Sequence, residues 1–251
     1  MLSLSKHYIH FKNSKSCQFR QAQFDNFLNF ETASLFYNMP ITLKNILPQF
    51  LEKEKIAASA IWQHEINFNE GEKIQIIAPS GSGKTTLIHF LYGIRNDFAG
   101  NISINNKTTN TFSNNDWASI RANEVSIVFQ DLRLFLDQTV LQNIEIKRTL
   151  NPYHSQSKII AMAERLGIAN KLTQLAGTCS YGEQQRIAII RSLQQPFKYI
   201  IMDEPFSHLD NKNSELAMQL ITEEATERGA AIILADLEKV SFFNADKTLQ
   251  L

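Results

Sequence analysis

Residues 78–86 read APSGSGKTT, which places glycines, hydroxyl side chains and one lysine within nine positions. Gly81 and Gly83 leave the main chain free of Cβ atoms, so its N–H groups can close on an anionic ligand. Ser80, Ser82 and Thr86 complete a turn whose donors all face one point, and a helix starting there adds its positive end. Such a turn suits a polyphosphate. Lys84 is expected on the β- and γ-phosphates, and Thr85 is expected to offer its hydroxyl to Mg²⁺. The pattern G-x-x-x-x-G-K-[ST] is met except at its first place, which holds Ala78. A strand end keeps φ below zero, so a small alanine is tolerable there.

A second stretch, YIIMDEP at 199–205, is an apolar run that ends in adjacent carboxylates. Asp203 suits a Mg²⁺ held through water, and Glu204 suits orientation of a water attacking the γ-phosphate. Taken alone, an acidic pair after a strand more often marks a turn. Following a phosphate loop, it reads as catalytic.

The flanking elements set the fold class. KIQIIA (73–78) is a short β-branched run stopped by Pro79 and Gly81, and TTLIHFLYGI (85–94) carries Leu87, Phe90, Leu91 and Ile94 at helical spacing. VSIVF (125–129), YIIM (199–202) and AAIIL (230–234) are further strand-like runs, the last following Gly229 and the helical stretch 211–228. Alternation of this kind predicts an α/β protein with a mostly parallel sheet covered on both faces. From about 132 to 180 the spacing stays helical, as at Ile159, Ala163 and Leu166, and predicts a helical insert.

The 251 residues allow one large domain or one domain with an insert. The 25 basic and 25 acidic residues cancel, so no overall field draws the chain to nucleic acid or anionic lipid. Cys17 and Cys179 are too far apart for a metal pattern and suit a reducing, cytosolic setting. No apolar run approaches the length of a membrane helix, so any membrane role calls for a partner. Residues 1–38 have scattered phenylalanines and no sustained period. Because Met39 follows them, they read either as an extension upstream of the true start or as an interaction tail, leaving 39–251 as the functional domain.

CSYGEQQRIAIIRSL (179–193) lies between the two nucleotide-related stretches. With it the chain resembles the ATP-binding subunits of ATP-binding cassette (ABC) transporters. The family signature LSGGQ appears as Cys179-Ser180-Tyr181-Gly182-Glu183, followed by Gln184-Gln185-Arg186; Gln130 in VFQD resembles the Q-loop glutamine, and SHLD (207–210) resembles the D-loop ending in Asp210. The resemblance covers about 40–251. It implies a P-loop NTPase fold, ATP with Mg²⁺ as cofactors, Gln130 as a metal-side and catalytic residue, and Ser180, Gly182 and Asp210 as nucleotide contacts. It also implies a head-to-tail cassette dimer and a polytopic permease as partners, no nucleic acid, and a cytoplasmic position at the inner face of the membrane. The branch it looks most like powers lipoprotein release, macrolide export and cell-division permeases.

An adenine ring is expected to stack on an aromatic residue before the loop, with Phe50 the first choice and Trp62 the second; either could instead be core. Three positions depart from the family: Tyr181 replaces a signature glycine, Cys179 replaces leucine, and Ala235 stands where a switch histidine precedes Asp236. These departures leave open a cassette that binds ATP but turns it over slowly. His208, in the D-loop, reads as a solvated turn residue.

Overall fold

The computed structural model describes residues 40–251. The segment 1–38 and Met39 lie outside them.

Two sheets organise the described chain. The larger is entirely parallel, with order β6-β7-β8-β3-β9, built from β3 (Lys73–Ile77), β6 (Val125–Val128), β7 (Tyr199–Asp203), β8 (Ala231–Asp236) and β9 (Lys247–Gln250). Period-two alternation divides β7 and β8 between two cores. Tyr199 and Ile201 join Ile233 and Ala235 on one face, while Ile200 and Met202 join Ile232 and Leu234 on the other. The first face is covered by α2 (Lys84–Leu91), through Leu87, Ile88 and Leu91, and by the second sheet. The other is covered by α6 (Tyr181–Ser192) and α7 (Asn211–Arg228).

The second sheet is antiparallel, with order β2-β1-β4-β5, and the sequence reading did not foresee it. It contains β1 (Ile41–Pro48), β2 (Glu65–Phe68), β4 (Phe98–Ile104) and β5 (Lys107–Thr108). Its alternation is interrupted: Asn45 sits at φ 51° and the β1–β4 register shifts between Lys44 and Leu47. Gly100 faces this bulge, and a Cβ there would collide with the Asn45 carbonyl oxygen. The remaining helices are α1 (Lys53–Ala58), α3 (Asn114–Asn123), α4 (Val140–Leu150) and α5 (Gln156–Arg165). Between 132 and 180 the regular elements are α4, α5 and two 3₁₀ turns, with one isolated bridge, Thr139 to Leu175. Helix α2 ends at Leu91, earlier than the expected 94, and Ile94 is exposed beyond it.

Helix α5 is tied to α7 by a buried ionic cluster. Glu224 accepts from His154 Nε2 at 2.7 Å and Arg228 Nη1 at 2.6 Å, and pairs with Lys158 at 3.0 Å. Arg228 also lies over Tyr153 at 3.9 Å and Phe197 at 4.5 Å. Burial alone would raise the Glu224 carboxyl, but hydrogen bonds from His154, Arg228 and Lys158 prevail and lower it to about 2. A depressed carboxyl stabilises the fold fully above its ordinary value, and that contribution is lost as pH falls through the folded value. Glu224→Gln is therefore expected to lower the thermal midpoint at pH 7 by roughly 5–10 °C, with the gap narrowing below about pH 4.5. Calorimetry of both proteins across that range reads it; a gap independent of pH contradicts the assignment.

Candidate nucleotide site

The parallel strands deliver their chemistry at one end. β3 runs into the glycine turn, β6 precedes Gln130, β7 ends at Asp203, and β8 ends at Asp236, all at carboxyl ends, where open α/β sheets bind ligands. Ala78 continues the sheet: it is fully buried and its N–H donates to Asp236 O at 2.9 Å. It is not among the residues with positive φ, so the site needs no glycine there. Gly83 differs. It sits at φ 97°, and a Cβ on it would meet Trp62 at 3.1 Å.

Gly83 also starts α2 without any side-chain cap. Every helix of ten or more described residues has one, from Ser113, Thr139, Ser155, Ser180 or Asp210. The first N–H groups of α2 are thus left for a ligand.

Ser80, Gly81, Gly83, Lys84, Thr85, Thr86, Gln130 and Glu204 line one cavity of about 240 Å³, joined by Pro79 and Leu237. Ser82 is buried behind it; its carbonyl accepts from Trp62 Nε1 at 3.3 Å and its hydroxyl oxygen has no hydrogen-bond partner. Lys84 is clamped between carboxylates, paired with Glu204 and lying 3.3 Å from Asp203 Oδ1. Thr85 Oγ1 donates to Asp203 Oδ2 at 3.0 Å. Asp203 Oδ1 is buried and accepts no aligned hydrogen bond. A buried carboxylate oxygen with only the unaligned Lys84 ammonium near it, beside a threonine hydroxyl, is an oxygen pair that fits Mg²⁺.

Glu204 holds φ 45°, left-handed backbone for a side-chain-bearing residue. Its N–H donates to Ala235 O at 2.9 Å and its carbonyl accepts from Gln185 Nε2 at 3.2 Å. Backbone held so from both sides aims the side chain at the cavity. Ala235 itself is fully buried opposite Asp203, and no polar side-chain atom reaches the cavity from it. Burial pushes the neighbouring Asp236 carboxyl up, opposed by the Leu237 N–H.

Other expected residues stand apart. Ser180 caps α6, accepting from Glu183 N at 3.3 Å while Glu183 accepts from Ser180 N at 2.8 Å. Gly182 follows on the same helix, where a Cβ would lie 2.9 Å from His208 O. Asp210 caps α7, accepting from Asn213 N at 2.8 Å. Neither Ser180, Gly182 nor Asp210 lines the 240 Å³ cavity. Tyr181 reaches closest: it lines an adjoining space of about 310 Å³ with Thr85, Gln130 and Asp203, and its ring lies 4.2 Å from that of the exposed His208. Phe50 is 82% exposed, beside Leu51, which packs against Gly83. Trp62 is fully buried, which corrects its candidacy: its ring supports the loop from beneath and has no free face for adenine.

Sequence reasoning missed Gln185. It is buried, donates to Glu204 O and Ser207 Oγ, and accepts from His208 N at 3.0 Å. One amide therefore joins the start of α6, the D-loop and the Glu204 backbone. The only signal in sequence was its place after Gln184 in the signature helix.

A sheet ending in a phosphate turn, paired carboxylates and a capped signature helix defines an ATP-binding cassette, and the chain belongs to the ABC transporter family, whose model matches residues 63–207. It is an ATP-binding and ATP-hydrolysing cassette. It is 34% identical over 200 residues, 78% of this chain and 88% of its relative, to the lipoprotein-releasing system ATP-binding protein LolD of Rickettsia bellii (strain RML369-C). To LolD 2 of Chlorobium chlorochromatii (strain CaD3) it is 34% identical over 179 residues, 67% of this chain and 73% of the relative. Among solved structures it is similar to the dimeric structure of a bacterial ABC transporter cassette, with TM-score 0.68 and 25% identity, and to a post-hydrolysis state of that cassette bound to ADP and Pi, with TM-score 0.69 and 26% identity. Each alignment covers 84% of this chain and 94% of the other.

Proposed function

We propose that the chain powers a transporter of the lipoprotein-releasing type, working as a head-to-tail cassette dimer beneath a membrane permease. The observation that carries the dimer is the division of the site. Lys84, Thr85, Gln130 and Glu204 share one cavity, while Ser180, Gly182 and Asp210 of the same chain stay outside it. A second copy, bringing its α6 start to that cavity, completes the donor set. The similarity to dimeric cassettes supports this arrangement, and the LolD relatives support the cargo class, a lipid-anchored protein. A separate permease holding the cassette at the membrane is part of the same reading, supported by the LolD relatives; the described residues themselves contain no helix long and apolar enough to cross a membrane.

In the mechanism we infer, the triphosphate takes Lys84 from Glu204. The freed carboxylate then orients and deprotonates the attacking water. Thr85 and Asp203 would hold Mg²⁺, which would supply neutralisation of the phosphate charge. Gln130 reports cavity occupancy to the insert, and Gln185 couples Glu204 to the D-loop. The buried Ala235 favours a second reading, a nucleotide-gated scaffold with slow turnover.

The exposed Phe50 ring is assigned to the adenine. Phe50→Ala is expected to weaken ATP binding roughly 10-fold with triphosphate affinity unchanged, since base stacking contributes about 1–3 kcal/mol. Titration calorimetry with ATP and with inorganic triphosphate separates the two; equal losses for both ligands contradict the stacking role. The cargo is tested in proteoliposomes carrying chain, permease and a lipoprotein. MgATP should release that protein, and hydrolysis without release would remove the lipoprotein assignment while leaving the cassette.

A further inference from the structure

The segment between β1 and β2 lies against the glycine turn. Leu51 precedes α1 and Ile56 stands within it, and both pack against the core that holds β3 and α2. Leu51 Cδ1 would lie 3.6 Å from a Cβ added to Gly83, so this anchor rests on the phosphate loop itself. Past the other end of α1, the buried Ser59 hydroxyl accepts from Ile61 N and Trp62 N, each at 3.0 Å. Between these two anchors no residue of α1 is buried.

Held in this way, α1 carries a cation to the cavity mouth. Lys55 Nζ lies 3.3 Å from the place a Cβ on Gly81 would take, and Gly81 lines the 240 Å³ cavity. The ammonium is paired with Glu52 at 3.1 Å, and the two side chains are 40% and 69% exposed. An exposed pair of this kind contributes little in water. Nor does the helix favour a cation there, because the first turn of a helix carries positive charge and Glu52 gives α1 no side-chain cap. A lysine so placed gains from an anion outside the helix. A triphosphate in the cavity is such an anion: its several charges outweigh one exposed carboxylate, and rotation about the lysine side-chain bonds exchanges Glu52 for a phosphate oxygen.

We propose that Lys55 is a second cationic contact for the triphosphate, released from Glu52 when nucleotide enters the cavity. The inference rests on the phosphate-loop reading and extends it to a residue outside the loop. One short segment then serves both halves of the nucleotide, Phe50 the base and Lys55 the phosphates. The bare Gly81 leaves the ammonium its room.

Titration calorimetry of the full chain with MgATP and with inorganic triphosphate tests this. Lys55→Met is expected to weaken both ligands roughly tenfold, and Lys55→Arg to keep most of the affinity, the size expected for a hydrogen bond to a charged partner. Glu52→Gln should tighten both roughly two- to fivefold by removing the competing carboxylate, and should do nothing in a chain that already carries Lys55→Met. Without ligand, the thermal midpoints of these variants should match the wild type, because the exchanged side chains are exposed. The proposal is overturned if Lys55→Met leaves triphosphate affinity unchanged while Lys84→Met lowers it, or if Glu52→Gln acts equally with and without Lys55. A loss for ATP alone overturns it too and assigns α1 to the base. If neither lysine changes triphosphate affinity, the phosphate-loop reading falls and takes this inference with it.

Discussion

Lys84→Met is expected to weaken MgATP binding by roughly 100-fold, since hydrogen bonds to a charged partner contribute about 1.5–3 kcal/mol and Lys84 is assigned to both the β- and γ-phosphates. The structure adds a second consequence that the loop motif alone does not carry. Lys84 sits between Asp203 and Glu204, whose side chains are 2% and 12% exposed. Without the ammonium, two buried carboxylates face each other, and breaking a buried pair by removing one partner costs about 3–5 kcal/mol. Reduced stability and reduced affinity should therefore appear together. Titration calorimetry and thermal unfolding of the same preparations measure them; unchanged ATP affinity would remove the phosphate-loop assignment.

Glu204→Gln is expected to cut steady-state ATP hydrolysis by about 10²–10³-fold or more while ATP still binds. The amide keeps the shape and the Ala235 and Gln185 backbone contacts but cannot take a proton from water. It also weakens the competition for Lys84, so ATP affinity should hold or rise. Wild-type turnover is itself expected to be slow, because Ala235 offers no donor to the γ-phosphate. An ATPase assay on wild type, Glu204→Gln and Ala235→His reads both points. If Glu204→Gln retains the wild-type rate, Glu204 is not the base.

The parts of the fold legible in sequence are those in which local pattern and local geometry agree. Ile74 and Ile76, then the glycines, then Leu87 and Leu91 announce strand, turn and helix in succession, and the structure places β3 and α2 there. The antiparallel sheet was illegible because its first strand bends at Asn45, where the positive φ breaks the two-residue period that marks a strand. Trp62 misled for another reason. Whether an aromatic residue offers a face depends on what folds over it, and Ser82 and Gly83 lie against this one. Gln185 was invisible as a relay for the same cause, since Glu204, Ser207 and His208 reach it only after the turn beyond β7 closes on α6.

Division of the site between two copies of the chain is read by sedimentation velocity of Glu204→Gln with and without MgATP. The variant is expected to be a monomer without nucleotide and, with MgATP, a dimer holding two ATP molecules, lost again when Ser180 is replaced by arginine in the same variant. A monomer binding one ATP under saturating MgATP, unaffected by the change at Ser180, would contradict it.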